Sequence, residues 1–200
     1  MEFVPFPKIP RLKRELVITE KIDGTNAQVY IRPVALPGTL ADTEEQMHAL
    51  AERDGMRMYA GSRSRWLSTS SDNFGFAKWV YANAVELFKL GEGQHFGEWW
   101  GSGIQRAYGL VNGDKRFSLF NVHRWGAHNP STPECCGVVP ILARGDLASV
   151  DETIAMLREK GSVAMPGFTN PEGVVVFHSA SKQLFKVLCE NDDTPKGKQE

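Results

Sequence analysis

Glu20-Lys21-Ile22-Asp23-Gly24-Thr25-Asn26 is the stretch whose reading decides the fold. An apolar run, Leu16-Val17-Ile18, leads into Lys21, and an alternating run, Ala27 to Ile31, follows the bend. Lysine is thus placed at a strand end beside an Asp-Gly turn, where glycine takes a positive φ cheaply. A protonated lysine is a poor nucleophile, but one that is desolvated or set among other cations loses its proton and attacks electrophiles. The same residues also read as a plain hairpin with Asp-Gly at its tip. Lys-x-Asp-Gly arises by chance in about one chain in twenty of this length on average usage. The heptad therefore needs support from elsewhere in the chain.

Two hundred residues suit one domain with a substantial core. The composition, 42% hydrophobic and 24% charged, is that of a soluble globular protein, and no apolar run approaches the length of a membrane span. Met1 to Pro10 carries three prolines in place of a signal-sequence pattern, which points to the cytoplasm. Three cysteines, two of them adjacent at Cys135 and Cys136, make a poor disulfide framework and agree with a reducing compartment. A net charge of −1 gives no global attraction to nucleic acid. Basic clusters at Arg11-Leu12-Lys13-Arg14, Arg57, Arg63-Ser64-Arg65 and Lys115-Arg116 read equally as one groove or as surface decoration.

Three helices are expected. Thr43-Glu44-Glu45-Gln46 has the form of a capping box, followed by Met47, Leu50 and Ala51 up to Gly55. A second helix runs from about Phe74 to Leu90, with Phe76, Trp79, Val80, Ala84, Leu87 and Phe88 on one face and Gly91 as its stop. The third starts at the Ser149-Val150-Asp151-Glu152 box, turns Ile154 and Leu157 inward, and ends at Gly161. Strands are expected at 17–21, 27–32, 56–62, 95–100, 117–123, 173–178 and 183–188. Helices too few to cross over between all strands favour an antiparallel α+β domain over a doubly wound sheet. The polar residues 191–200 read as a frayed tail.

Four further segments follow the heptad in order. They are Gly61-Ser62-Arg63-Ser64-Arg65-Trp66, Phe96-Gly97-Glu98-Trp99-Trp100-Gly101, Phe117-Ser118-Leu119-Phe120-Asn121-Val122, and Pro171-Glu172-Gly173-Val174-Val175-Val176, with Lys186 one strand later. With them the sequence resembles the covalent nucleotidyltransferases, the superfamily of ATP-dependent RNA and DNA ligases and capping enzymes. Within it the chain looks like the RNA ligases related to RNA-editing ligases, whose lysine motif commonly reads Glu-Lys-x-x-Gly-Thr-Asn. The resemblance covers about residues 17 to 190. It implies an α+β nucleotidyltransferase (ligase adenylation) domain, residues 1–190, of mostly antiparallel sheets with flanking helices.

The resemblance also implies the chemistry: an ATP-dependent RNA ligase that joins 5′-phosphate and 3′-hydroxyl ends through a lysyl-AMP intermediate and an adenylated 5′ end. Lys21 is then the nucleophile. Glu172 holds Mg²⁺ or Mn²⁺ near the α-phosphate, and Lys186 meets that phosphate as a point charge. Glu98 accepts hydrogen bonds from the ribose, and Phe120 stacks on adenine. Arg63 and Arg65, which share a face if their strand continues, offer forks for phosphate or ribose oxygens. Glu20, Ile22 and Asn26 join the nucleotide site. By period-2 alternation only one of Phe117 and Phe120 faces the nucleotide, and Phe120 is preferred. The expected partner is RNA, including nicked duplexes, with DNA ends and a protein partner for end recognition as further expectations.

Two features depart from the family pattern. Its last motif carries two lysines one residue apart, whereas this strand reads Leu184-Phe185-Lys186-Val187-Leu188, so Lys182 or Lys196 is left to compensate. Only fourteen residues follow Lys186, so no OB-fold or other C-terminal domain is expected. The alternatives are a DNA ligase or nick-sealing enzyme, and a nucleotide- or nucleic-acid-binding protein that has lost turnover. His123, His128, Cys135 and Cys136 form a weaker zinc pattern, since adjacent cysteines rarely reach one ion together. His95 and His178 lie beside motifs but read as structural.

Overall fold

The computed structural model describes residues 1–35 and 46–192. Strand β1 (Leu16–Lys21) and strand β2 (Thr25–Pro33) belong to different sheets, so Asp23-Gly24 does not close a hairpin. The bend instead carries the chain from one compact unit, Met1–Lys21 with Pro140–Glu200, into a second, Ile22–Val139. Gly24 does not take a positive φ. Glycine is required there for closeness: a Cβ would lie 2.5 Å from the Trp99 carbonyl oxygen and 2.7 Å from Trp100 Cβ.

The second unit comprises β2, β3 (Ala51–Arg53), β4 (Met56–Ser62), β5 (Trp66–Leu67), α1 (Phe76–Ala82), α2 (Ala84–Leu87), β6 (Gly93–Gly101), β7 (Lys115–Leu119) and β8 (Cys136–Val138). Its described strands form one sheet in the order β3-β4-β2-β6-β7-β8, with β5 on β4. All pairs are antiparallel except β7 with β8. Ala27, Val29, Ile31, Met58, Ala60, Trp99, Phe117 and Leu119 point to one face and pack on Phe76, Ala77, Val80 and Leu87. Aromatic rings fill the centre, with Phe76 and Phe117 at 5.0 Å and Trp79 and Trp99 at 5.2 Å between centroids.

Several expectations are corrected in this unit. Thr43 to Glu45 of the first capping box lie outside the described residues; 46–48 are helical, but Ala51–Arg53 is strand. Gly55 is no helix stop. Asp54 and Gly55 take φ of 52° and 72° between Arg53 and Met56, the two-residue hairpin turn that suits the twist of flanking strands. The expected Phe74–Leu90 helix breaks at Asn83, whose side-chain amide donates to the Trp79 carbonyl, and a short 3₁₀ turn finishes at Gly91. The 117–123 strand ends at Leu119, because the Asn121 side chain accepts from the N–H groups of His123 and Arg124 and closes a turn.

In the first unit, β9 (Ile141–Gly145), helix α3 (Leu147–Lys160), β10 (Gly173–His178) and β11 (Gln183–Leu188) join β1. The sheet order is β11-β10-β1-β9, antiparallel throughout. Leu16, Ile18, Val174 and Val176 face Val150, Ile154 and Leu157 of α3 in a core separate from that of the second unit. The N-cap is Asp146, not Ser149: its carboxylate accepts from Ala148 and Ser149 N–H, with Ser149 returning the bond. Gly161 stops α3 as expected. Among the described residues no helix is long and apolar enough to cross a membrane.

Candidate functional site

Lys21 closes β1 opposite Gly173, and Glu172 immediately precedes that glycine. The register thus brings two residues 151 positions apart together, with Lys21 Nζ donating to Glu172 Oε2 at 2.5 Å. Glu172 is 3% exposed and Lys21 24%, so the carboxylate is buried while the amine keeps an approach from solvent. Opposed residues of antiparallel strands share a face. Lys21, Gly173 and Leu188 form one row, and Thr19, Val175 and Lys186 the next, on the same side of the sheet. Residues 183–186 are exposed, so the Lys186 face is open along that stretch.

Leu184 and Leu188, either of which stands where the family pattern has a second lysine, share the face of Lys186. Leu188 stands in the row of Lys21, across a glycine with no side chain. Lys182 lies at the other end of the hairpin over the Phe177 ring, and Lys196 lies outside the described residues. Glu20 points to the face opposite Lys21 and is 1% exposed. Its carboxylate accepts from Ser162 Oγ at 2.5 Å and from the N–H groups of Val163 and Ala164 at 2.8 and 2.7 Å. That side chain is committed to the loop after α3.

Asn26 and Glu98 lie in the second unit, on the sheet face turned away from its core. Asn26 is opposite Glu98, which is opposite Ser118, making a polar row. Glu98 Oε1 accepts the Gly24 N–H at 3.0 Å. In the neighbouring row stands Phe96, whose carbonyl accepts the Phe120 N–H. Phe117 is fully buried and Phe120 is 38% exposed, so of the two aromatics only Phe120 is open to a ligand. Ile22 is buried.

The shared-face expectation for Arg63 and Arg65 is corrected. Strand β4 ends at Ser62, whose hydroxyl accepts from the Ser64 and Arg65 N–H groups and turns the chain. Both arginines are exposed, and the Arg65 guanidinium is bound to Ser71 and to the Trp66 and Asp72 carbonyls. Among the basic residues singled out in the sequence, Arg57 is held by Glu52, Lys115 by the Phe74 carbonyl, and Arg116 by Asp114.

Sequence reading missed Arg106 and Tyr108. Arg106 Nε pairs with Asp23 Oδ2 at 3.0 Å, and the Tyr108 hydroxyl accepts the Asp23 N–H at 2.9 Å. Both lie in a loop where Gln105, Ala107 and Tyr108 take positive φ, so no periodic pattern announced them. Ser162 was missed for the same reason, sitting in a loop without repeat. His95 is buried in the core-facing side of β6, bonds the Gly91 carbonyl, and burial pushes its imidazole below the ordinary value. His178 bonds the Leu12 carbonyl and Ser181. Both are structural.

Among the described residues no group of three or more His, Cys, Asp or Glu side chains is arranged around a metal. Cys135 and Cys136 engage each other instead, a thiol hydrogen bond holding Cys135 below and Cys136 above the usual thiol range. Glu172 nevertheless fits a hard divalent cation. Mg²⁺ is commonly held by one or two carboxylates, with substrate phosphates and water completing its shell. A single buried carboxylate beside the lysine matches that donor set.

The sequence model of the family described as RNA ligase matches residues 14–188. No curated protein matches the chain. Among solved structures, a Naegleria gruberi RNA ligase mutant in the apo form is similar over 87% of this chain and 49% of its own, at 18% identity and a TM-score of 0.53. Another mutant of the Naegleria gruberi RNA ligase, with ATP and Mn, is similar over 87% and 48%, at 16% identity and a TM-score of 0.52. Identities this low establish a shared fold. The chain spans about half the length of these relatives.

Proposed function

The chain belongs to the RNA ligase family, and from that premise we propose that it is the adenylation domain of an ATP-dependent RNA ligase, with Lys21 as its nucleophile. The observation that carries the reading is the contact of Lys21 Nζ with the buried Glu172 carboxylate at the end of β1. Adenylation needs an amine held in line with the α-phosphate and positive charge on the phosphate oxygens. Lys21 Nζ, neutral when it attacks, forms a bond to the α-phosphorus as the bond to the pyrophosphate oxygen breaks; pyrophosphate leaves and one amine proton passes to solvent. Lys186, on the same sheet face, is a cation for those oxygens.

Glu98 and Asn26 would take the ribose hydroxyls, and Phe120 offers a ring for the base. Glu172 would hold the divalent ion, which when bound polarises the phosphoryl group. The AMP then passes to a 5′-phosphate end, and a 3′-hydroxyl attacks that end to release AMP. Mn and ATP bound to a relative of the same fold support the choice of nucleotide and ion.

Intact mass after incubation with ATP and Mg²⁺ tests the reading. An increase of about 330 Da, one AMP unit, is expected on the protein. No increase, under conditions where the protein is folded, refutes it. Offering RNA and DNA 3′-hydroxyl ends against the same adenylated strand then separates an RNA ligase from a DNA nick-sealing enzyme.

A further inference from the structure

We infer that Ser162, with the Val163 and Ala164 N–H groups, clamps Glu20 so as to aim Lys21, which makes Ser162 a positioning residue for lysine adenylation. The inference rests on the function proposed above. Strand β1 is flanked by β10 as far as Lys21, but its pairing with β9 ends at Thr19, followed by one bond from Glu20 N–H to the Pro140 carbonyl. Past that bond, strand pairing holds Lys21 on the β10 edge alone. What fixes it is the side chain of residue 20, on the face opposite the amine.

Three donors converge on that carboxylate from a loop whose own shape is set. Ser162 Oγ accepts the Met165 N–H at 3.0 Å, and Ser162 N–H donates to the Phe168 carbonyl at 2.8 Å. Gly161, at φ 82°, leaves room for that closure, since a Cβ there would come within 2.5 Å of the Phe168 oxygen. A buried carboxylate is costly unless its lone pairs are satisfied. An apolar side chain at position 20, like Leu16 and Ile18 before it, would cover α3 equally well. What the carboxylate adds is direction. Its charge-assisted bonds fix the azimuth of the strand end, and therefore of the Lys21 Cα–Cβ bond one residue on.

The Lys21 nitrogen serves the first two steps, as nucleophile and then as leaving group, and has no part in sealing a strand already adenylated, which gives the test its contrast. A strand supplied already adenylated needs no lysine nucleophile. In Ser162→Ala, single-turnover adenylation at saturating ATP should fall about 10-fold to 100-fold, as misaligned reactants do. The KM for ATP and the sealing of a pre-adenylated strand should stay within about twofold, because no binding group is removed. Adenylation at the wild-type rate, or equal losses in adenylation and sealing, overturns the inference, the second outcome showing a merely structural loop. If Ser162→Ala does not fold, Glu20→Gln decides. Its amide can face the serine hydroxyl, which turns to accept, while its oxygen keeps the two backbone donors. Slower single-turnover adenylation at an unchanged melting midpoint is expected there, and adenylation at the wild-type rate overturns the inference. Absence of any AMP adduct on the wild-type protein overturns the functional reading and this inference together, whereas an unimpaired Ser162→Ala beside an adenylated wild type overturns this inference alone.

Discussion

Removing the Lys21 amine takes away the attacking atom, so Lys21→Ala should abolish the AMP adduct. Lys21→Arg should fail as well, because a guanidinium keeps its proton and cannot attack. Adduct formation by either variant at the wild-type rate would move the nucleophile elsewhere. His95 makes a prediction about stability. Burial lowers its proton affinity in the folded protein, so the unfolded chain binds the proton more readily. Above the unfolded value, near pH 6.5, both states are neutral and His95 leaves stability unaffected by pH. As pH falls below it, stability drains until the folded imidazole also protonates. Melting midpoints of wild type and His95→Gln across pH 5 to 8 should diverge in slope on the acid side only. Parallel slopes would show that His95 is not the group responsible. At this scale the sequence singled out Lys21 and Glu172, which the strand register brings into contact. It was silent on Arg106, Tyr108 and Ser162, whose roles depend on where loops travel.

Elements were legible where two faces differ. Strands β4, β10 and β11 fall where alternation placed them, and α3 ends at its glycine. The misreadings came from local hydrogen bonds that override a pattern. Asn83 breaks a helix by binding Trp79, and Asn121 ends β7 early. Edge pieces of two to five residues, such as β5 and β8, are too short to carry a period. The β10–β11 register supports a prediction of its own. Leu188 stands in the Lys21 row across Gly173, so Leu188→Lys restores a second cation to the face that carries the nucleophile. Its cost in stability should stay within about 1 kcal/mol, since residue 188 is half-buried and the new stem can cover the same surface. Single-turnover adenylation should match or exceed wild type. A loss of adenylation with the fold intact would show that the row does not face the phosphate.

At the scale of the whole chain, alternation says which side of a strand is buried but not which sheet the strand joins. The heptad therefore left a plain hairpin open as an alternative, while in the structure its two flanks serve different sheets, each with a core of its own. That division can be measured because the probes are unevenly distributed. All five tryptophans (Trp66, Trp79, Trp99, Trp100 and Trp125) and all four tyrosines lie within residues 22–139. Tryptophan fluorescence thus reports the second unit, whereas far-ultraviolet circular dichroism reports both. A substitution confined to the first unit should separate the two signals. Gly173 has a φ of 152°, and a Cβ there would run into the Val187 carbonyl oxygen, so Gly173→Ala strains the β10–β11 pairing. The expected cost is about 3 kcal/mol, summing a disfavoured backbone and a forced contact. Because no residue is shared between the cores, the dichroism transition in urea should broaden or split toward lower concentration. The fluorescence midpoint should stay near its wild-type value. Equal displacement of both midpoints would show instead that the two units unfold as one cooperative body.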